Sequence, residues 1–505
     1  MNESIVFNHE RQLFIDNFCI ESLNNTRRRF HSARKHPANP LITPQEPWEA
    51  DYIQLYGNVL FDTDINKFRM WYSARYTPEG EKKCLNTICH ASSTDGLHWE
   101  RTPVNRLEHN GLSLGNAVMK GQAIGPTVFH TPGDPNPDRR YRMFVYTGDE
   151  ILDASRMKAA FSQHYSIFFS PDGYTWTPYE NNPVVQGGDI ATCLYDPVTQ
   201  EYIAFPKIHR SDDGFNRRCV GVSLSRDFAT WLTPNIILSA DAIDDARVAD
   251  RLERFQDRLV YVNPEQYHAD MYGMTAYRCG GLRIGLIWHF DISAHRPREL
   301  GGNHDGPVNI QLAYSRNPDA YSGWKRTEGR RDFLACGDDG AYDSGSIYTA
   351  HSVIEREDEL WIYYTGIDRT HGDRGSADKY SRFSREPHQP HSLNVATLRK
   401  EGFASIEAHY PPGSMTTRPL TLEGERLIIN ADAEKGAIHV EVTDPEGHPL
   451  PGFTRDDCLP FQDDCTSGEV RWKNATLATL RGQTVRLTFH LQTARLYAMS
   501  CPSRD

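Results

Sequence analysis

The feature that most constrains this chain is a short phrase that recurs along it: a serine, a turn carrying Asp or Asn, then a tryptophan. It reads Ser93-Thr94-Asp95-Gly96-Leu97-His98-Trp99, then Ser170-Pro171-Asp172-Gly173-Tyr174-Thr175-Trp176, then Ser225-Arg226-Asp227-Phe228-Ala229-Thr230-Trp231. A longer copy runs from Ser315 through Asn317 and Asp319 to Trp324. An Asp-Gly step makes a tight turn because glycine takes positive φ without steric cost, and the tryptophan packs beside it. An aromatic-rich run precedes each copy: 68–74, 141–148, 202–208 and 283–290, with a fifth at 359–366 followed by 392–398. Before each of these lies another apolar run, at 52–61, 122–130, 190–195, 271–277 and 347–354.

The order strand, turn, strand, then a strand ending near the Ser-Asp-Gly-Trp phrase is thus expected five times. Successive units stand roughly 55–95 residues apart, against about 40–50 for a compact four-stranded repeat, and the excess is loop. No amphipathic helix of useful length separates the strands, which argues against a βαβ fold. Radially arranged four-stranded sheets leave few exposed edges, so the pattern predicts an all-β chain with a five-bladed β-propeller over residues 35–402. After about residue 400 the spacing shortens. Segments 420–429, 437–442, 467–472 and 485–491 predict a C-terminal β-sandwich over 403–505. Residues 1–34 are expected as an N-terminal arm lying on the propeller.

Composition excludes several classes. The net charge of −12 and the lack of any dense basic run beyond Arg27-Arg28-Arg29 exclude a nucleic-acid partner. No apolar run reaches the roughly 18 residues a membrane span needs, so no membrane partner is expected. The polar start, Met1 to Glu10, lacks a signal-peptide core, and the ten scattered cysteines form no CxxC pair, so a cytoplasmic location without a disulfide framework or zinc cluster is expected. The Gly187-Gly188 and Gly301-Gly302 pairs lack the strand and helix context of a phosphate loop. The 24 Tyr, 22 Phe and 9 Trp suit β-rich cores and also suit sugar-stacking surfaces.

In a propeller the innermost strands converge at one mouth, so a site is sought where they start. Those approaches read Glu46-Pro47-Trp48-Glu49-Ala50-Asp51-Tyr52, Lys120-Gly121-Gln122, Gly187-Gly188-Asp189, Glu265-Gln266-Tyr267-His268-Ala269-Asp270 and Tyr342-Asp343-Ser344-Gly345. Four of the five carry a carboxylate. Cleaving a glycosidic bond needs two carboxyl groups in different environments, one protonated and one ionised. Singly, each Asp before a strand is an ordinary turn former; their joint placement carries the reading. Trp48, Tyr52 and Tyr272 are candidates for a sugar platform, with core packing as the plain alternative. His268 and His289 are candidates for hydroxyl contacts, with a satisfied structural role as the alternative. Asp368 and His371 follow the fifth aromatic strand, and with His351 they could hold a cation, but the spacing is not diagnostic; neither metal nor cofactor is expected. Arg75 and Lys120 are candidates for an anionic substituent on a sugar.

The five-fold repeat, the Ser-x-Asp-Gly-x-x-Trp hairpins and the early Asn39-Pro40-Leu41-Ile42 resemble the five-bladed propeller glycosidases of glycoside hydrolase families 32, 43, 68 and 130. The phrases Tyr272-Gly273-Met274, 281–286 and Tyr342-Asp343-Ser344-Gly345 are most similar to bacterial family-32-like proteins. The resemblance covers about residues 35 to 400 and implies an exo-acting glycoside hydrolase on a small oligosaccharide, with furanosides among the substrates it implies. By position it implies Asp51 as nucleophile or base, Asp189 as the residue that orients substrate and tunes the acid, and Glu265 or Asp270 as general acid. Glu49, Gln122, His268, Asp343 and Asp368 would join Trp48, Tyr52 and Tyr272 in binding. The chain lacks a Trp-Met-Asn-Asp-Pro-Asn-Gly-like segment, an Arg-Asp-Pro and a Glu-Cys pair, so the implied activity does not extend to ordinary invertase or levanase substrates. A phosphate-dependent phosphorylase, with basic residues beside the acids, and a non-catalytic carbohydrate-binding propeller are the rival expectations. The small sandwich offers a surface for a homo-oligomer.

Overall fold

In the computed structural model of the 505-residue chain, residues 4–81, 83–148, 164–211, 214–295, 303–373 and 389–504 are described. Gly301-Gly302 lies outside them. The protein is nearly all β, with two short α-helices at Ala242–Asp245 and Val248–Leu252 among the described residues.

Five antiparallel units follow one another along the chain. Sheet one runs Tyr52–Asp62, Lys67–Tyr76, Leu85–Ser93, Ala117–Lys120; sheet two Ala123–His130, Tyr141–Thr147, His164–Ser170, Thr177–Pro178. Sheet three runs Ala191–Asp196, Glu201–Arg210, Arg217–Ser225, Asn235–Leu238. Sheet four has His268–Cys279, Leu282–Ile292 and Val308–Ser315, edged by Lys325–Arg326 and Asp332–Leu334. Sheet five has Ser346–Thr349, Glu359–Ile367 and Ser392–Arg399, and its outermost strand is Arg34–Lys35 from the start of the chain. A parallel pairing of Val308 with Ser346 links sheets four and five.

The first strands meet in a cycle. Asn58 brackets Val128, donating to its carbonyl at 2.7 Å and accepting from its N–H at 2.8 Å. The first strands of sheets two and three are neighbours. Thr192 donates to the Met274 carbonyl at 2.5 Å, and Thr275 to the Ala350 carbonyl at 2.8 Å. Ser352 donates to the Val59 carbonyl at 2.7 Å, returning to sheet one.

The recurring hairpins explain how neighbours are held together. In the first three copies the Asp carboxylate accepts the two backbone N–H groups that follow the turn: Leu97 and His98, Tyr174 and Thr175, Ala229 and Thr230. The residue after the Asp has positive φ, +81° at Gly96, +77° at Gly173 and +67° at Phe228. These tips dock on the sheet before their own. Trp99 lies edge-on to Tyr363 of sheet five at 5.9 Å, the Gly173 carbonyl accepts from the Trp71 indole of sheet one at 3.0 Å, Trp231 packs on Phe144 of sheet two at 5.0 Å, and Trp324 lies edge-on to Phe205 of sheet three at 5.9 Å.

The C-terminal residues form two six-stranded sheets around one apolar core that includes Leu427, Val440, Phe489 and Leu496. The run 420–429, read as one strand, is two: Leu420–Leu422 in one sheet and Leu427–Asp432 in the other. The break falls at Gly424, where a Cβ would stand 1.8 Å from the Cys501 carbonyl oxygen. The start of the chain is threaded into both sheets rather than laid over the repeats. Ile5–Phe7 and Ile20–Asn24 join one, Gln12–Leu13 and Arg27–Phe30 the other. All ten cysteines are unpaired.

Candidate functional site

A cavity of about 660 Å³ opens where the five first strands begin. Sheet one contributes Asp51, Tyr52, Gln54 and Tyr56; sheets two to five contribute Ile124, Asp189 and Ile190, Tyr272, and Ser346 and Tyr348. Arg75, at the end of the second strand of sheet one, and the run from Ile367 to Asp373 with His391 complete the wall.

Two carboxyls predicted from sequence, Asp51 and Asp189, therefore share one cavity, and their surroundings differ. Asp189 is hydrogen-bonded to the ammonium of Lys207, whose side chain is 6% exposed while that of Asp189 is 48% exposed. Burial alone would raise the Asp189 pKa, but the Lys207 charge and hydrogen bond, then Arg218, hold it below the ordinary carboxylate value. Burial lowers the Lys207 pKa, and Asp189 opposes that shift. Lys207 also lies 4.4 Å from the centre of the Tyr272 ring, a cation–π contact that fixes the ammonium under the cavity wall. Asp51 has a neutral partner: Thr77 donates to it at 2.9 Å, and the nearest guanidinium nitrogen, Arg75 Nε, is 3.7 Å away.

Four tyrosines line the cavity, Tyr52, Tyr56, Tyr272 and Tyr348. Tyr56 stacks on Trp288 at 5.5 Å and meets Tyr348 edge-on at 5.2 Å, so the platform is held by packing beneath it. Two imidazoles are held neutral. Burial, then Arg218, pushes His371 down to about 3. Its Nδ1 faces the His304 carbonyl at 3.0 Å, so Nδ1 carries the proton and Nε2 faces the Tyr272 hydroxyl at 3.4 Å as acceptor. Burial, then Arg369 and Arg75, pushes His391 down to about 3, and its Nε2 accepts from Arg369 at 3.2 Å.

Other residues singled out from sequence lie elsewhere. Trp48 and Glu49 brace the loop entering sheet one: the Trp48 indole donates to Asn116 at 2.9 Å, and Glu49 is buried with Arg101 at 2.7 Å and the Tyr72 hydroxyl at 2.6 Å. A carboxylate fixed by that ion pair is not presented to a ligand. Gln122 is exposed and Glu265 sits exposed on the turn Pro264–Gln266; neither lines the cavity. Asp270 is fully buried with Arg218 at 2.8 Å, and His268 stacks on Phe215 at 4.2 Å beside it, behind the wall. His289 is buried against Asp291 at 3.2 Å. Asp343 pairs with Lys35 at 2.5 Å and accepts from Tyr364 at 3.1 Å, closing sheet five rather than facing the cavity. Asp368 accepts the Gln389 N–H at 2.7 Å, between lining residues Ile367 and Arg369. Lys120 donates to the Glu108 carbonyl at 2.5 Å and does not line the cavity.

His371 and His351 are not brought together. His371 lines this cavity, whereas His351 lines a cavity at the other ends of the first strands, with its Nδ1 2.8 Å from the Thr127 hydroxyl. Among the described residues the one His/Asp cluster compact enough for a cation is Asp62, Asp64 and His130, and its acids are hydrogen-bonded to Arg69, Arg140 and Tyr141.

The sequence reading missed Lys207, Arg369, Asp373 and His391. Lys207 had a signal: a lysine inside the apolar run YIAFPKI must be paired if buried. The other three lie between the sheet-five strands Glu359–Ile367 and Ser392–Arg399, where no periodicity marks direction.

No protein family matches the sequence, and no curated protein does either. Among solved structures the chain is similar to a β-1,2-mannobiose phosphorylase from Listeria innocua, at 12% identity over 73% of this chain and 96% of that one, with a TM-score of 0.44. It is similar to a glycosyl hydrolase from Bacteroides ovatus, at 13% identity over 77% and 96%, with a TM-score of 0.42. It is also similar to an N-acetylgalactosamine deacetylase from F. plautii, at 14% identity over 75% and 96%, with a TM-score of 0.39. Likeness at this distance assigns no activity.

Proposed function

We propose that this protein is a carbohydrate-active enzyme that cleaves a terminal sugar from an oligosaccharide in the cavity at the strand starts. In this reading the five sheets of residues 35–402 are the blades of a propeller, supported by the cycle of first-strand contacts and by hairpin tips docking on the preceding sheet. Residues 403–505, with strands from 1–34, form the sandwich.

One observation carries the chemical reading: two carboxyls in unlike electrostatic surroundings face one cavity whose wall is rich in tyrosine. Asp189, kept ionised by Lys207, is a fixed negative charge suited to hold sugar hydroxyls and to stabilise the positive charge that develops at an anomeric carbon. Asp51, facing the cavity without a cationic hydrogen bond, is the carboxyl that attacks or activates the incoming nucleophile. The leaving group needs a proton donor. Neither Glu265 nor Asp270 lines the cavity, and Asp373, the third lining carboxyl, takes that role in this proposal. Asp270, through Arg218, is then a positioning residue for the charges behind Asp189.

The test is a product assay over fructans, arabinans, mannosides and uronic-acid-containing oligosaccharides, with and without phosphate. Release of a monosaccharide that falls about a hundredfold or more in both Asp51→Asn and Asp189→Asn, with the fold retained, is the expected result. Turnover unchanged in both variants removes the assignment. Phosphorolysis is the second reading, because two guanidinium groups, Arg75 and Arg369, line the cavity near the acids; it predicts a sugar phosphate released only when phosphate is present.

A further inference from the structure

Arginines in this protein are characteristically locked to carboxylates: Arg69 to Asp62 at 3.1 Å, Arg101 to Glu49 at 2.7 Å, Arg251 to Asp291 at 2.6 Å, Arg283 to Asp196 at 2.6 Å. Arg75 and Arg369 break that habit. Among the described residues no hydrogen bond to a carboxylate is formed by either; the nearest acid oxygens are Asp51 Oδ2 at 3.7 Å and Asp368 Oδ1 at 3.5 Å. In both, Nε is buried with no hydrogen-bond partner. Both line the same cavity.

They are also placed together. Tyr52 and His391 stack at 5.5 Å with their planes 20° apart. The Arg75 guanidinium lies over the Tyr52 ring at 4.3 Å, and Arg369 donates to His391 at 3.2 Å. The two forks thus flank one aromatic pair, which orients each without using up its donor capacity. A planar guanidinium matches a planar carboxylate with two parallel hydrogen bonds.

We propose that Arg75 and Arg369 form a subsite for the carboxylate of a uronic acid, so that the sugar cleaved in this cavity is a uronoside. The inference rests on the carbohydrate reading above and narrows its substrate class. A single negative charge fits better than a phosphate dianion, because Asp51, Asp189 and Asp373 line the same cavity and would repel the second charge. The tyrosines beside the two arginines offer faces for the ring that bears the carboxylate.

The experiment is equilibrium binding to the full-length protein, by calorimetry, of methyl glucuronide and methyl galacturonide against methyl glucoside and methyl galactoside, with inorganic phosphate as a fifth probe. The expected result is that a uronide binds about tenfold or more tighter than its neutral counterpart, and that Arg369→Gln abolishes the difference. Arg75→Lys is the second variant: it keeps the charge, loses the fork, and is expected to leave a reduced preference. Thermal melting of each variant separates loss of binding from loss of fold. Equal binding of neutral and charged glycosides overturns the inference and leaves the carbohydrate reading standing. Phosphate binding that depends on Arg369, with no uronide bound, overturns it in favour of phosphorolysis. Binding of none of the five overturns it as well, and the product assay then decides the parent reading by itself.

Discussion

The two ends of the first strands make an instructive pair. At the ends where these strands begin lies the charged cavity; at the opposite ends lies a second one of about 730 Å³, lined by Asn58, Phe61, Phe129, Tyr195, Tyr202, Tyr277 and His351 among others. Both ends carry acids facing bases, yet their burial differs sharply. The far end has Asp62 with Arg69 and Asp196 with Arg283, all four side chains at most 2% exposed. The near end has Asp51 beside Arg75, 31% and 35% exposed, and Asp189, 48% exposed, on buried Lys207. Topology supplies the reason. At the far end a first strand such as Tyr52–Asp62 turns straight into its partner Lys67–Tyr76, so an acid there is drawn into the turn: Asp62 accepts the Asp64 N–H at 3.1 Å as well as Arg69. At the near end Asp51 stands between the turn Pro47–Glu49 and its strand and Asp189 follows the Gly187-Gly188 pair, and both acids line the cavity. The same pair of residue types is structural at one end and available for chemistry at the other.

The comparison breaks most visibly at the far end. Arg69→Met should leave the buried Asp62 without its cation and cost about 3–5 kcal/mol in denaturant unfolding. A loss near that of a surface pair, below about 1 kcal/mol, would mean that the two ends do not differ as described. The near end should respond the other way. Asp51→Asn should lower turnover by about a hundredfold while changing unfolding free energy by less than about 1 kcal/mol, since among the described residues its carboxyl hydrogen-bonds an exposed threonine and has a half-exposed Arg75 at 3.7 Å. If Asp51→Asn destabilises as much as Arg69→Met, the near-end acid is structural too.

Sequence legibility follows the same division. The repeat was readable because its turn chemistry is local: an Asp that accepts two N–H groups within three residues leaves a fixed phrase. The first and second strands were readable from apolar runs, and the observed bounds, such as Ala123–His130 and Glu201–Arg210, lie close to the expected ones. Asp51 and Asp189 were reachable because they stand one and two residues before first strands, at Tyr52 and Ala191. Glu265 was placed near them by the same logic, but it falls in a turn three residues before its strand begins at His268 and faces solvent. Asp270 lies inside that strand, and its side chain is turned to the buried Arg218. Arg369, Asp373 and His391 could not be placed, because they lie between the sheet-five strands Glu359–Ile367 and Ser392–Arg399, outside any strand periodicity that would give their direction. Nor could the threading of 5–30 into the C-terminal sheets, since its partners lie about 400 residues away.

A subtler test of the near end is its pH dependence. Lys207 holds the Asp189 pKa below the ordinary value, so Asp189 stays ionised to lower pH than a free carboxyl would. Lys207→Met removes that charge and lets the pKa rise. The acid limb of turnover against pH should therefore move to higher pH, with activity lost first under mildly acidic conditions and least near neutrality. An unmoved acid limb would mean that Asp189 is not the ionisation that turnover senses.

The smallest expected effect concerns the hairpins that hold the sheets in their cycle. Burial opposes ionisation of Asp227, but N–H groups of Thr230 and Ala229 and the Thr230 hydroxyl hold its pKa down to about 2. A carboxyl depressed in the folded state contributes stability that is present above its unfolded pKa, about 3.9, and is lost as pH falls through the folded one. Asp227→Ala should cost about 1 kcal/mol at pH 7, with the difference shrinking as the pH drops from about 4 towards 2. Asp227→Asn keeps an acceptor oxygen for the two N–H groups and should lose less, with little dependence on pH. Turnover should stay within about twofold in both, because the hairpin lies at the rim of sheet three while the chemistry we propose sits at the strand starts. A larger fall in turnover than in stability would mean that the docking of Trp231 on Phe144 sets the geometry of the cavity, and the two regions would then be coupled rather than separate.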